Sequence, residues 1–287
     1  MMTIMANDLK CAMNLAKIDS SYILGVGEKG SENLNLQHKI LESNSIEQLN
    51  KAGLREGMVV WDIGCGSGEM TEYIASVVGS SGHVYAMDVS EEQIKVVKKR
   101  ITNVGYKNVS FIVDDILSHE DKGFDKADIV HSRLLLMHVK SPTDALNRML
   151  SLLKPFGVLS CQEASMNSLK NGCENAFIDK YFQLLVAYGT LNGFDYNIGR
   201  KLPDLCSSLG SFSKIDHYAT RLDLNSTNAK QLLLSRLDEF KDKLIGENLA
   251  SQQEMAEIKQ GMNDYYEDPR FSNCTLYAEQ THLLAFK

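Results

Sequence analysis

The stretch Val59-Val60-Trp61-Asp62-Ile63-Gly64-Cys65-Gly66-Ser67-Gly68 narrows the possible folds of this chain more than any other. Its apolar, β-branched opening reads as a strand buried on both faces, the environment of a parallel sheet. Three glycines at alternate positions follow, and then a pattern from Glu69 to Val78 that predicts a helix. A strand, a glycine turn and a helix N-terminus in succession bring backbone N–H groups and the positive dipole end against an anionic ligand group. Such a loop belongs at the carboxyl edge of a doubly wound sheet.

The spacing here is G-x-G-x-G with an acid, Asp62, before the first glycine, whereas the dinucleotide fingerprint is G-x-G-x-x-G. A second strand, His83 to Asp88, ends in an acid about 20 residues past the loop, the place for a carboxylate that accepts ribose hydroxyls. A NAD enzyme shares that acid, so Asp88 alone does not discriminate. A third strand, Val109 to Val113, ends in Asp114-Asp115-Ile116. A fourth, Asp128 to His131, leads into Ser132-Arg133-Leu134-Leu135-Leu136-Met137-His138. The turn Lys154-Pro155-Phe156-Gly157 delivers a fifth, Val158 to Glu163.

In this order, over residues 56 to 165, these motifs resemble the class I S-adenosylmethionine (SAM) dependent methyltransferases. The resemblance implies SAM as cofactor and S-adenosylhomocysteine as product. It implies that Gly64, Cys65, Gly66 and Gly68 back the methionine and ribose parts of the cofactor, and that Asp62 orders the loop near the methionine amino group. Asp88 with Val89 would meet the ribose. Asp115, with Asp114 as the competing choice, would cap the adenine amino group while Ile116 packs on the ring. Ser132 and Arg133 follow strand four at the cofactor edge. Tyr22-x-Leu24-Gly25 followed by Leu36-Gln37 is similar to a bacterial small-molecule subgroup, which implies that Tyr22, Gln37 and Arg133 close over the methionine end.

Strand and helix alternate through residues 53–163, the signature of a parallel sheet. With the resemblance, the expected fold is α/β: a doubly wound, mostly parallel seven-stranded sheet with an antiparallel last strand and a helical cap. Residues 1–52 read as an N-terminal arm and lid over the cofactor, with a helix from Glu32 to Ala52. Residues 164–200 read as the helical cap. Residues 201–287 would complete the sheet, with a helix from Arg200 to Leu209, strands Phe212 to Arg221 and Cys274 to Phe286, and a charged helical insertion at about 228–265. Ser90 with Gln93 predicts a capping box for a helix ending at Gly105, and Ser141, Pro142 and Asp144 predict another helix start.

A sulfonium donor carries its own activation, so the protein mainly has to orient the acceptor, and a general base is needed only for a protonated nucleophile. His138 and Glu163 are the candidate bases, with His131 and His217 behind them. Tyr181, Tyr188, Phe194 and Tyr196 are the expected lining of an apolar acceptor pocket. The net charge of −7 argues against nucleic acid, which needs a basic face. No apolar run approaches the ~20 residues of a membrane span. Six scattered cysteines without a C-x-x-C pair predict free thiols, a cytoplasmic setting and no metal site. The expected protein is a monomer or homodimer that methylates O, N or C of a small organic acceptor. The alternatives are a SAM-binding regulatory protein, a protein methyltransferase and a NAD-dependent oxidoreductase.

Overall fold

The computed structural model describes residues 27–120, 123–172, 175–210, 212–269 and 274–287. The chain opens with α1 (Gly27–Lys51), β1 (Val59–Ile63), α2 (Glu69–Val78), β2 (His83–Asp88), α3 (Glu91–Val104) and β3 (Val109–Val113). It continues with β4 (Ala127–Arg133), a single 3₁₀ turn (Leu136–His138), α4 (Pro142–Ser151), β5 (Leu153–Asn171), α5 (Ala176–Leu191) and α6 (Ile198–Ser208). β6 (Lys214–Asp223), α7 (Thr227–Gly246), α8 (Gln252–Glu267) and β7 (Leu276–Phe286) complete it. One sheet runs in the order β3-β2-β1-β4-β5-β7-β6. β1 to β5 pair in parallel, and β7 is antiparallel to both of its neighbours. The order reverses between β1 and β4, which opens a crevice at their carboxyl ends.

The central strand is as buried as its composition demands. Val60, Trp61 and Ile63 are at most 1% exposed, and the Trp61 ring stacks on Tyr85 at 4.8 Å. α2 begins after Gly68 and stops at Gly79, and α3 stops at Gly105, as the glycine punctuation predicts. The capping box at Ser90 is only half formed. Its hydroxyl accepts the Gln93 N–H, but its own N–H donates to Asp88 Oδ1 at 2.9 Å, so Gln93 Oε1 is left without a partner. The Ser141 hydroxyl donates to the Asp144 carboxylate instead of accepting a backbone N–H.

Three elements depart from the sequence reading. β5 does not end at Glu163; it runs on to Asn171 because β7 supplies an antiparallel partner, with Glu163 opposite Thr281 and Lys170 opposite Tyr277. The helical cap therefore starts only at α5. α1 is held to the sheet by polar pins as well as by its leucines. Gln48 Nε2 donates to Ser160 Oγ and to the Cys161 carbonyl, both at 3.0 Å, and Ser45 Oγ donates to Gln162 Oε1 at 2.7 Å. Cys65, Cys161 and Cys206 are free and buried, whereas Cys274 is disulfide-bonded. The expectation of free thiols therefore does not hold at Cys274, and cysteine usage no longer argues for a reducing compartment. No described helix is long and apolar enough to cross a membrane.

Candidate active site

At the carboxyl end of β1 the chain turns with Gly64, Gly66 and Gly68 all at positive φ, +71°, +55° and +83°. Only glycine takes these angles without strain, and space is short as well. A Cβ on Gly64 would lie 2.9 Å from Leu135 Cδ1, and one on Gly68 would lie 2.8 Å from Val97 Cγ1. The loop is tied to β2, since Gly64 N and Cys65 N both donate to the Met87 carbonyl. Asp88, at the end of β2, accepts from Gly66 N at Oδ2 and from Ser90 N at Oδ1, each at 2.9 Å. Burial pushes its carboxyl above the ordinary range, and these N–H groups oppose that rise.

Beside it, Asp114 has both oxygens engaged, Oδ1 by Asp115 N and Oδ2 by His119 Nδ1 at 2.8 Å. Asp115 accepts Leu117 N at Oδ1 only, so its second oxygen has no protein donor among the described residues. Asp88, Val89, Asp114, Asp115 and Ile116 line one cavity of about 440 Å³ together with Gly64 and Gly66. A polar recess of about 40 Å³ adjoins it, lined by Gln37, Asp62, Cys65 and Arg133 among others. There the Thr71 hydroxyl donates to Asp62 Oδ2 at 2.6 Å, and burial raises Asp62 to about 6. Arg133 Nη1 donates to Ser45 Oγ at 3.3 Å, so the guanidinium is anchored by α1.

The same cavity extends between α5 and α7. Tyr181, Phe194 and Tyr196 line it as expected, and His138 faces it from the 3₁₀ turn. Four polar positions here behave unusually. The hydroxyls of Tyr181 and Tyr196 and Nδ1 of His138 are buried without a hydrogen-bond partner. Arg236 of α7 lines the cavity with its Nη1 held by Glu239 Oε2 at 2.7 Å, and Asn33 Nδ2 of α1 donates to the same oxygen. Burial, then the positive charges of Arg236 and Lys243, pushes His138 down to about 3, so its imidazole is neutral.

A family model described as a methyltransferase domain matches residues 54–192, the part of the chain that supplies the glycine loop and both acidic strand ends. Over these residues the chain is similar to methyltransferase domains, and its sheet order gives it a doubly wound α/β fold. It is 33% identical over 135 residues to the demethylmenaquinone methyltransferase of Staphylococcus aureus strain MRSA252, which covers 46% of this chain and 53% of that protein. It is also 33% identical over 153 residues to a ubiquinone/menaquinone biosynthesis C-methyltransferase of Pseudomonas fluorescens strain Pf0-1, covering 52% of this chain and 57% of that protein. The chain thus spans about half the length of the curated relatives it matches. The fold of Haemonchus contortus phosphoethanolamine N-methyltransferase 2 superposes with a TM-score of 0.55 at 18% identity, over 88% of this chain and 56% of that one.

Several residues stand elsewhere than the sequence reading put them. The Glu163 carboxylate does not line the cavity; it accepts the N–H groups of Leu135, Leu136 and Met137 at 3.0, 2.7 and 3.4 Å and so caps the turn that carries His138. Ser132 is fully buried and donates to Cys161 Sγ instead of facing the cofactor edge. Gly68 caps α2 without lining the cavity. Tyr188 lies behind the wall, its ring edge-on to Phe240 at 5.7 Å. His131 is buried against Ser160, and His217 is exposed on the edge strand β6. Tyr22 lies outside the described residues. The sequence reading missed Leu34, three residues before Gln37 on α1, and the α7 face formed by Leu233, Arg236 and Phe240. The helical spacing of that face, with one arginine among apolar residues, was the available signal.

Proposed function

We propose that the chain binds SAM across the glycine loop and transfers its methyl group to a small organic acceptor held between α5 and α7. The observation that carries this reading is the continuity of the cavity, from the glycine loop and Asp88 at one end to Tyr181, Tyr196 and His138 at the other. The residues present fit the cofactor. Asp88 offers its remaining lone pairs to the ribose hydroxyls. Asp115 offers its free oxygen to the adenine amino group, with Ile116 beneath the ring. Arg133 and Gln37, which line the adjoining recess with Asp62, would hold the methionine carboxylate, and Asp62 the amino group. SAM supplies, when bound, an electrophilic methyl group whose leaving group is a neutral thioether.

The chain's own contribution is then positional. Apolar walls exclude water, and orientation of a bound nucleophile is worth roughly 7 to 11 kcal/mol. A neutral His138 at the cavity wall is too weak a base to remove a proton outright. Relatives named for demethylmenaquinone and for ubiquinone/menaquinone synthesis make a quinone-type ring a fitting first acceptor class. The test is calorimetric titration with S-adenosylhomocysteine and with NADH, followed by incubation with methyl-labelled SAM and a metabolite extract. Binding of S-adenosylhomocysteine alone and a labelled small product support the reading. Binding of NADH, or the absence of any labelled product despite cofactor binding, overturns it.

A further inference from the structure

The cavity divides by charge. The acidic side chains that line it, Asp88, Asp114 and Asp115, all belong to the half under the strand ends. Between α5 and α7 the charged lining residues are Lys140 and Arg236, and no carboxylate lines that half among the described residues. Arg236 is well sheltered, with its side chain 11% exposed, and its partner Glu239 does not itself line the cavity. Around it the walls are apolar, including Phe182, Leu185 and Phe240. Into those walls are set the partnerless hydroxyls of Tyr181 and Tyr196. These hydroxyls are themselves shielded from the cavity, so Arg236 is the sheltered charged group that a ligand in this half would meet.

We propose that this half of the cavity selects an apolar acceptor bearing an anionic oxygen, with Arg236 reading the charge. The proposal rests on the methyl-transfer reading above and narrows its substrate class. The local field supports it. His138 feels the positive charges of Arg236 and Lys243 with no carboxylate opposing them, and Arg236 acts on the Tyr181 hydroxyl more strongly than Glu239 does. An ammonium acceptor would meet Arg236 and Lys140 as the charged lining of this half, with the Glu239 carboxylate engaged behind Arg236, whereas an oxyanion gains from the guanidinium. An ionised hydroxyl also needs no base. Its lone pair forms the new O–CH₃ bond, the S–CH₃ bond breaks with its electron pair staying on sulfur, and no proton remains to be removed. The anionic oxygen belongs either to an ionised hydroxyl that reacts or to a carboxylate that anchors.

The test uses the full chain saturated with S-adenosylhomocysteine and titrated with naphthoate, naphthol and naphthylmethylamine. The acid, or naphthol as the pH is raised through its own ionisation, is expected to bind at least about tenfold more tightly than the amine. Tight naphthoate binding identifies a carboxylate anchor, and naphthol affinity that climbs with pH identifies an ionised hydroxyl. Arg236→Gln should abolish the preference while S-adenosylhomocysteine affinity stays within about twofold of wild type, and Arg236→Lys should keep part of it. The proposal is overturned if the amine binds as well as the acid, if Arg236→Gln keeps the preference, or if none of the three probes binds. Absence of S-adenosylhomocysteine binding removes the underlying methyl-transfer reading as well; cofactor binding without an acid preference removes this proposal alone.

Discussion

Under the glycine loop, Asp88 gives one oxygen to the Gly66 N–H and the other to the Ser90 N–H, and Asp114 is held by Asp115 N and His119. Across the same cavity, Tyr181 Oη, Tyr196 Oη and His138 Nδ1 have no partner. The first half is built from strand ends and helix starts, where backbone N–H groups are available to buffer a buried carboxylate. The second is built from side chains projecting off α5, α7 and a 3₁₀ turn, where the helical backbone is already bonded to itself. The contrast shows where each function resides. The half proposed for the cofactor draws its geometry from the energy of folding, while the half proposed for the acceptor keeps buried polar atoms unpaired in its wall.

The largest effect that tests this contrast is expected at Asp88. Asp88→Ala removes the ribose acceptor and strips two buried N–H groups of their partner. S-adenosylhomocysteine affinity should fall by ~2–4 kcal/mol, measured by calorimetry, with a lower melting temperature in the free protein. An affinity close to wild type would take Asp88 out of the site. The next effect is at Glu163, which serves the acceptor half indirectly by capping the turn that carries His138. Glu163→Gln offers one oxygen to three N–H groups, and turnover should drop about tenfold with cofactor affinity nearly unchanged. Burial raises Glu163 from 4.5 to about 8, so the folded protein holds this proton more tightly than the unfolded chain does. Wild type therefore loses stability as pH rises across that window, and the glutamine variant has no such loss. The melting-temperature advantage of wild type over the variant should shrink between those two pH values; a constant difference disproves the assignment.

The cofactor half was legible in the sequence because its signals are local. G-x-G-x-G, Asp88 at a strand end and Asp114-Asp115 each announce a backbone conformation that few residues other than these satisfy. Glu163 was legible as a strand end but not as a cap, because its partners at 135–137 are set by the parallel pairing of β4 and β5. The acceptor wall was harder to read. Four aromatics were expected to line it, and Tyr188 does not, because a helix turns its side chains by about 100° per residue and only tertiary docking decides which face is inward. Arg236 was passed over for the same reason: despite its apolar neighbours on α7, a charge in an inserted helix reads as solvated until a partner helix covers it. Cys274 shows the limit from another side, since a scattered cysteine carries no local signal that it is disulfide-bonded.

The smallest expected effects separate the two halves most sharply. Thr71 donates to the Asp62 carboxylate in the cofactor half at 2.6 Å, so Thr71→Val should cost ~1–3 kcal/mol of stability in the ligand-free protein. Tyr181→Phe deletes a hydroxyl that bonds to nothing, and should leave stability unchanged or raise it by up to ~1 kcal/mol. Its cost should appear only with acceptor present, as a severalfold loss in kcat/KM. Tyr188→Phe, behind the Phe240 ring, should change stability by less than ~0.5 kcal/mol and leave kcat/KM alone. Denaturant unfolding of the three variants, read beside their kinetics, gives the comparison directly. If Tyr181→Phe destabilises the free protein as much as Thr71→Val, its hydroxyl already has a partner in solution. The acceptor half would then be satisfied like the cofactor half, and the division of labour between them would fail. If only kcat/KM moves, the unpaired hydroxyl is a recognition element, and its distance from Tyr188 in effect measures how sharply the cavity wall divides ligand contact from packing.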